Sequence, residues 1–225
     1  MCLELTQIHH SFGRFKAGAA PRQVLDGINL RINPGDRIGI TGESGVGKTT
    51  LGLILAGIKC PDHGKVLFSG TDLWAADTAG RKQINRKLQM VFQHPETTFD
   101  PRWTIHQSLS EPFRLNGIRP DSQTLAAQLT EVGIDLSVLK RLPSQLSGGE
   151  LQRLAIARIM ALNPAVVVLD EPTAMLDVLT QARIMSLLER IQKKTQVGYV
   201  LVSHDLSLIQ GFCRHLFRLE NGTLA

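Results

Sequence analysis

GESGVGKTT, residues 42–50, stands between the apolar run RIGI (residues 37–40) and the apolar run LGLIL (residues 51–55). Its first eight residues fit the pattern G-x-x-x-x-G-K-[ST], and the flanks supply the strand before and the helix after that the pattern requires. The chemistry explains the residue types. Bare glycines let successive backbone N–H groups curl around phosphate oxygens, the lysine reaches the β- and γ-phosphates, and the hydroxyl after it ligates Mg²⁺. Gly42, Glu43, Ser44, Gly45, Val46, Gly47, Lys48, Thr49 and Thr50 are therefore the candidate phosphate cradle. A plain glycine-rich turn would satisfy the letters but would not need that context. The pattern predicts an α/β fold with a helix from about Lys48 to Ala56.

Outward from this loop, VVVLDE (residues 166–171) is the expected companion. A continuous apolar run reads as a strand buried on both faces, which is the habit of parallel sheets. Such a strand delivers a carboxylate to its C-terminal edge, where open α/β sheets bind ligands. Asp170 is placed for the Mg²⁺ shell, and Glu171 to take a proton from an attacking water. In isolation the same letters describe a buried strand ending in a solvated acidic turn. Gln93 closes the apolar run LQMVFQ, and His204 follows the apolar run YVLVS with Asp205 beside it. By position alone both read as solvated strand ends.

QLSGGELQRLAIARIMAL, residues 145–162, poses a separate problem. Leu151, Leu154, Ala155, Ile159 and Leu162 fall on one helical stripe. Ser147 and Glu150 have the spacing of a capping box, in which each side chain satisfies a free N–H of the first turn. Neither feature explains Gly148 and Gly149, since each glycine costs a helix about 1 kcal/mol against alanine. Bare glycines at the positive end of a helix let a large anion approach the backbone.

Composition narrows the class. The chain has 225 residues, 43% hydrophobic and 20% charged, with a net charge of +5 and no long basic block. That suits one large domain or two small ones, and is weak support for a nucleic-acid partner. Cys2, Cys60 and Cys213 are far apart and show neither a disulfide framework nor metal-ligand spacing. No apolar run approaches the roughly 18 residues of a membrane span, and MCLELTQIHH lacks the apolar core of a signal peptide. A cytoplasmic protein is expected.

The remaining organisation is α/β with a helical insertion. Strands are predicted at LELTQI, VLDGINLRI, DRIGI, KVLFSG and LQMVFQ, and helices at TIHQSLSEPFRL, SQTLAAQLTEV and LSVLKRL. A long helix is expected from Val178 to Lys194, a shorter one at LSLIQGFC, and a terminal hairpin turned at Asn221-Gly222.

Taken in order, Gly42–Thr50, Gln93, LSGGE (residues 146–150), VVVLDE, AMLD (residues 174–177) and His204 resemble the nucleotide-binding domain of an ABC transporter across nearly the whole chain. The resemblance implies one ABC ATPase domain over 1–225. Its core would be 1–93 and 163–225, with an N-terminal antiparallel β subdomain, and its helical subdomain about 94–162. It implies ATP and Mg²⁺ as ligands, with Thr49, Gln93 and Asp170 around the metal. Glu171 would be the general base, His204 the switch histidine on the γ-phosphate, and Gln93 the Q-loop residue that relays to membrane subunits. Ser147, Gly148 and Gly149 would face the γ-phosphate held by a second chain packed head to tail, and Asp177 would lie in the loop crossing to that chain. Phe12 in HSFG matches the aromatic that stacks on adenine, with Phe15 as an alternative. Three motifs depart from the family pattern: Glu150 for Gln, Thr49-Thr50 for Ser-Thr, and Ala174-Met175 for Ser-Ala.

A narrower resemblance is to importers of oligopeptides, dipeptides and nickel. The sequence stops at Ala225, without the cysteine-bearing extension of peptide importers, which favours nickel, cobalt or metal chelates. The implied partners are a second, paralogous ATPase subunit, two transmembrane permease subunits and an extracytoplasmic solute-binding protein, with the chain at the cytoplasmic face of the membrane. An ABC-type ATPase acting on nucleic acid or the ribosome is the alternative. It accords less well with 225 residues lacking heptads and paired cysteines.

Overall fold

The computed structural model describes residues 2–13 and 22–225. In chain order the strands are β1 (Leu3–Phe12), β2 (Arg22–Ile32), β3 (Arg37–Thr41), β4 (His63–Phe68), β5 (Thr71–Asp72), β6 (Leu88–Val91), β7 (Val166–Asp170), β8 (Gly198–Val202), β9 (His215–Glu220) and β10 (Thr223–Leu224). The helices are α1 (Lys48–Leu55), α2 (Thr78–Lys87), α3 (Ile105–Leu115), α4 (Ser122–Glu131), α5 (Gly148–Met160), α6 (Val178–Thr195) and α7 (Leu206–Phe212). They group into two compact units. One comprises the described part of residues 1–90 with 165–170 and 196–225, and the other comprises 91–164 and 171–195.

The first unit holds two sheets. An antiparallel sheet has the order β2-β1-β4-β5, and a six-stranded sheet has the order β10-β9-β3-β8-β7-β6. In the second, β9, β3, β8 and β7 run parallel, and β10 folds back antiparallel on β9. Every residue of β7 and β8 is buried, as expected of apolar strands covered on both faces. The fold class expected from the sequence is the one found: a P-loop α/β core with an antiparallel β subdomain and a set of helices. The terminal hairpin turns through Asn221 and Gly222, both at positive φ (48° and 84°), as a two-residue hairpin loop demands.

The second unit contains α3 to α6. All four of these helices start at a side-chain cap: Thr104 with Gln107 on α3, Asp121 on α4, Ser147 with Glu150 on α5, and Asp177 on α6. LSVLKRL is a correction to the helical reading. It makes only a 3₁₀ turn, Leu136–Lys140, because Arg141 and Leu142 are already extended ahead of Pro143. Helix α2, in the first unit, has no counterpart among the expected elements. It is polar almost throughout, with Ile84 its one buried residue, so it carries no apolar stripe to read. Among the described residues no helix is long and apolar enough to cross a membrane.

Candidate nucleotide site

Parallel strands bring distant residues to one edge of the first unit. Ile40 pairs with Val202, and Val202 with Asp170, so β3, β8 and β7 end level with one another. The loop 42–47 leaves β3 at that edge, and Ser203 and His204 leave β8 there. The C-terminal edge of such a sheet is where α/β folds hold their ligands.

The loop has the geometry that its glycines anticipate. Gly42, Gly45 and Gly47 all have positive φ, and a Cβ on Gly42 would lie 2.5 Å from the Leu219 carbonyl oxygen. Helix α1 begins at Gly47 with no side-chain cap and no acidic residue in its first turn. Its leading N–H groups therefore point out of the helix end without a side-chain acceptor, and they favour an anion. Lys48 is buried, and its Nζ donates to the carbonyls of Gly42 and Glu43 at 2.8 Å each, which fixes the ammonium across the mouth of the loop. Ser44 and Thr49 are exposed, while Thr50 is buried. The Thr49 hydroxyl lies 3.5 Å from the Asp170 carboxylate, so two hard oxygen donors are adjacent. That donor chemistry fits Mg²⁺, which takes one or two protein oxygens together with phosphates.

His204 is exposed, and Asp205 beside it caps α7 through Leu208 N at 3.0 Å. Asp205 is thus a structural cap, and His204 stands before it, just past the end of β8. Phe12 is 45% exposed, with Lys59 Nζ 4.9 Å from its ring centroid and the His10 ring edge-on at 5.2 Å. Phe15 lies outside the described residues.

Within the second unit, Gln93 Nε2 donates to Glu171 Oε2 at 3.5 Å. The amide nitrogen is thus turned to the carboxylate, and the amide oxygen is the acceptor it can offer elsewhere. Glu171 takes φ of 46°, a left-handed conformation uncommon outside glycine and one that clusters at functional sites. The Ser147–Glu150 capping box is present in full. Ser147 N and Oγ both donate to Glu150 Oε2, at 2.9 and 2.8 Å, and Glu150 N donates to Ser147 Oγ at 3.3 Å. These bonds to Ser147 hold the Glu150 carboxyl below its ordinary value. Gly148 is exposed, but Gly149 is buried against Thr180. The missing side chain of Gly149 thus has a packing reason inside the chain, beside the anion approach expected for both glycines. Asp177 caps α6 through Thr180 N and Oγ at 2.9 and 2.7 Å, and those bonds lower its pKa.

The segment 94–105 divides sharply. Phe99 is 5% exposed, and Arg158 ties its surroundings together by donating to the Thr98 carbonyl and to Glu111. Trp103 is half-buried, with the Arg114 guanidinium 5.8 Å from its ring centroid. Nothing in the sequence singled out Arg158, because its partners lie 47 and 60 residues away.

Residues 25–174 match the family model described as ABC transporter. The chain is 39% identical over 231 residues to the nickel import ATP-binding protein NikE of Pseudomonas putida, covering 99% of this chain and 84% of that one. Against NikE of Escherichia coli K12 the identity is 35% over 219 residues, covering 96% and 82%. Among solved structures, the ATP-binding cassette MJ0796, a dimer in a post-hydrolysis state bound to ADP and Pi, superposes with a TM-score of 0.85. Its identity is 26%, covering 99% of this chain and 96% of that one. The protein cbiO1 of Clostridium perfringens, part of the cbiONQ transporter complex, gives 0.83 at 27% identity, covering 99% and 86%.

Proposed function

The chain belongs to the ABC transporter family, as one of its ATP-binding proteins, and from that premise we propose that it drives nickel or metal-chelate uptake by hydrolysing ATP. The observation that carries the reading is the level edge of β3, β8 and β7, where a phosphate loop and the Thr49–Asp170 pair occur together. The near-full-length similarity to nickel import proteins supports the choice of solute.

The residues take the following roles. The N–H groups of 43–50 and the Lys48 ammonium hold the β- and γ-phosphates, and Phe12 stacks on adenine. Thr49 and Asp170, with Gln93 as the family resemblance implies, would hold Mg²⁺, which would neutralise phosphate charge. Glu171 accepts the proton of the water that attacks the γ-phosphorus, and the ADP oxygen leaves in line. Gln93, hydrogen-bonded to Glu171, orients that carboxylate. His204 donates to the γ-phosphate. Ser147, Gly148 and Gly149 of a second chain close over the same phosphate, and Asp177 lies in the loop that crosses to that chain. The second chain is a paralogous ATPase subunit. The pair works at the cytoplasmic face of the membrane on two permease subunits, fed by a solute-binding protein.

The test is uptake of radioactive nickel by cells carrying the complete transporter. Lys48→Ala in this chain should abolish uptake without removing the complex. Unchanged nickel uptake, with loss of peptide uptake instead, would reassign the solute. Unchanged uptake of both would remove the motor role.

A further inference from the structure

Within the second unit, α5, α6 and the end of α4 line an open cavity of about 520 Å³. Its floor is apolar, from the buried Val132 and Leu187, and three arginines line it: Arg153 of α5 and Arg183 and Arg190 of α6. No carboxylate lines it. Arg183, Ser186 and Arg190 are exposed on one face of α6, at the three- and four-residue spacing that places side chains in line.

The charge here is poorly compensated. Arg153 Nε is buried with no hydrogen-bond partner among the described residues. Burial pushes the Arg153 guanidinium below the ordinary arginine value; nearby Glu150 draws it back, and the like charge of Arg183 pushes it further down. Glu150 is itself occupied by the Ser147 N–H and hydroxyl. Glu131 is held by Lys194 Nζ at 2.6 Å, and Arg190 donates to its carbonyl at 3.5 Å. Arg183 and Arg190 are exposed and screened by water, so the group an anion would satisfy first is the buried Arg153 Nε, with the two exposed guanidiniums beside it. Guanidinium forks match phosphate oxygens bidentately, and a cavity of this size with an apolar floor suits a small organic molecule.

We propose that this cavity binds a small phosphate-bearing polyanion, with Arg153, Arg183 and Arg190 holding the phosphate oxygens, Ser186 adding a hydroxyl donor, and the apolar floor taking the organic part. None of its lining residues belongs to the phosphate loop or to the strand ends, so it does not depend on the proposed ATPase role. A ligand wedged between α5 and α6 would fix the helix that carries Ser147–Gly149 against the helix capped by Asp177.

Calorimetry on the full chain tests this, with the phosphate loop held saturated by ADP and sodium pyrophosphate as titrant. Wild type should bind a single equivalent saturably. The double variant Arg183→Ala/Arg190→Ala should weaken that binding by at least about tenfold and leave ADP affinity unchanged. Both side chains are exposed, so the fold should survive, and an unchanged melting transition checks it. Ser186→Trp, which fills the cavity and keeps the charges, should give the same loss. Equal pyrophosphate binding in wild type and both variants, or none in wild type, overturns the proposal. Tighter binding of citrate than of pyrophosphate overturns the assignment to phosphate.

Discussion

Thr180 occupies the space that a side chain on Gly149 would need: a Cβ there would stand 2.7 Å from Thr180 Cγ2. The methyl cannot swing aside freely, because the Thr180 hydroxyl and N–H are both held by Asp177. Gly149→Ala should therefore destabilise the protein, since overpacking costs about 1–3 kcal/mol and outweighs the roughly 1 kcal/mol of helix propensity gained. Thr180→Ser, which keeps the hydroxyl and removes the methyl, should rescue it. Gly148→Ala should be tolerated, because its Cβ would meet only Leu176 Cδ2 at 3.7 Å. Denaturant midpoints of Gly149→Ala, Gly149→Ala/Thr180→Ser and Gly148→Ala decide the matter, and a stable Gly149→Ala chain would contradict it.

Glu150 places a negative charge in the turn proposed to face a phosphate. Glu150→Gln keeps an oxygen for the Ser147 N–H and hydroxyl and removes the charge, so KM for ATP should fall with stability little changed. Acid has a calculable direction as well. The Glu150 pKa is depressed in the fold, so the capping contribution is complete above the ordinary carboxylate pKa and is lost as pH falls through the depressed value. In Glu150→Gln that part of the acid sensitivity should vanish. An unchanged acid transition in the variant would argue against the bond.

Glu171→Gln should retain ATP and lose about 10²–10⁴-fold in turnover, the usual contribution of a general base. Gln93→Ala, which removes the hydrogen bond to Glu171, should lower kcat by less and leave ADP binding intact. Single-turnover hydrolysis with bound ATP separates the two effects. Near-normal turnover in Glu171→Gln would assign the base elsewhere.

If Ser147 acts on a neighbouring chain's nucleotide, specific activity should rise with protein concentration. Chains carrying Lys48→Ala and chains carrying Ser147→Arg, each inactive alone, should recover activity when mixed, because one of the two composite sites then has both parts intact. A rate independent of concentration, from a proven monomer and unchanged by adding the paralogous subunit, would exclude the shared site.

Phe99 and Trp103 should behave differently although they lie four residues apart. Phe99 is core, and Phe99→Ala should cost about 3–5 kcal/mol. Trp103 is half-buried under Arg114, so Trp103→Ala should cost much less and leave ATP binding unchanged. Loss of association with the permease subunits by a stable Trp103 variant would identify it as part of the coupling surface. Equal destabilisation by both substitutions would make Trp103 a core residue instead.

What could be read without a structure was local or contiguous. The phosphate loop is nine successive residues, the Ser147–Glu150 box closes over three, and the Asn221-Gly222 turn is set by the two residues that tolerate positive φ. The buried strands β7 and β8 announce themselves because parallel strands covered on both faces are apolar without interruption. Helix α2 was invisible for the opposite reason, having almost nothing to bury.

The rest depends on residues that only folding brings together. Arg158 reaches partners 47 and 60 positions away, and no spacing rule couples such residues. Gln93 and Glu171 meet across 78 residues. Gly149 looked like half of an anion-binding turn, and its neighbour Thr180 supplies a further reason for the missing side chain. The arginines of the α5–α6 cavity are unremarked in sequence, since Arg153 lies 30 and 37 positions from Arg183 and Arg190. Sequence by itself determined the backbone chemistry of the loop and the caps, because hydrogen bonds over three or four residues follow from local geometry. Which side chains share a cavity, a charge or a van der Waals contact was decided by the tertiary structure, because those interactions act over ångströms in space and are indifferent to distance along the chain.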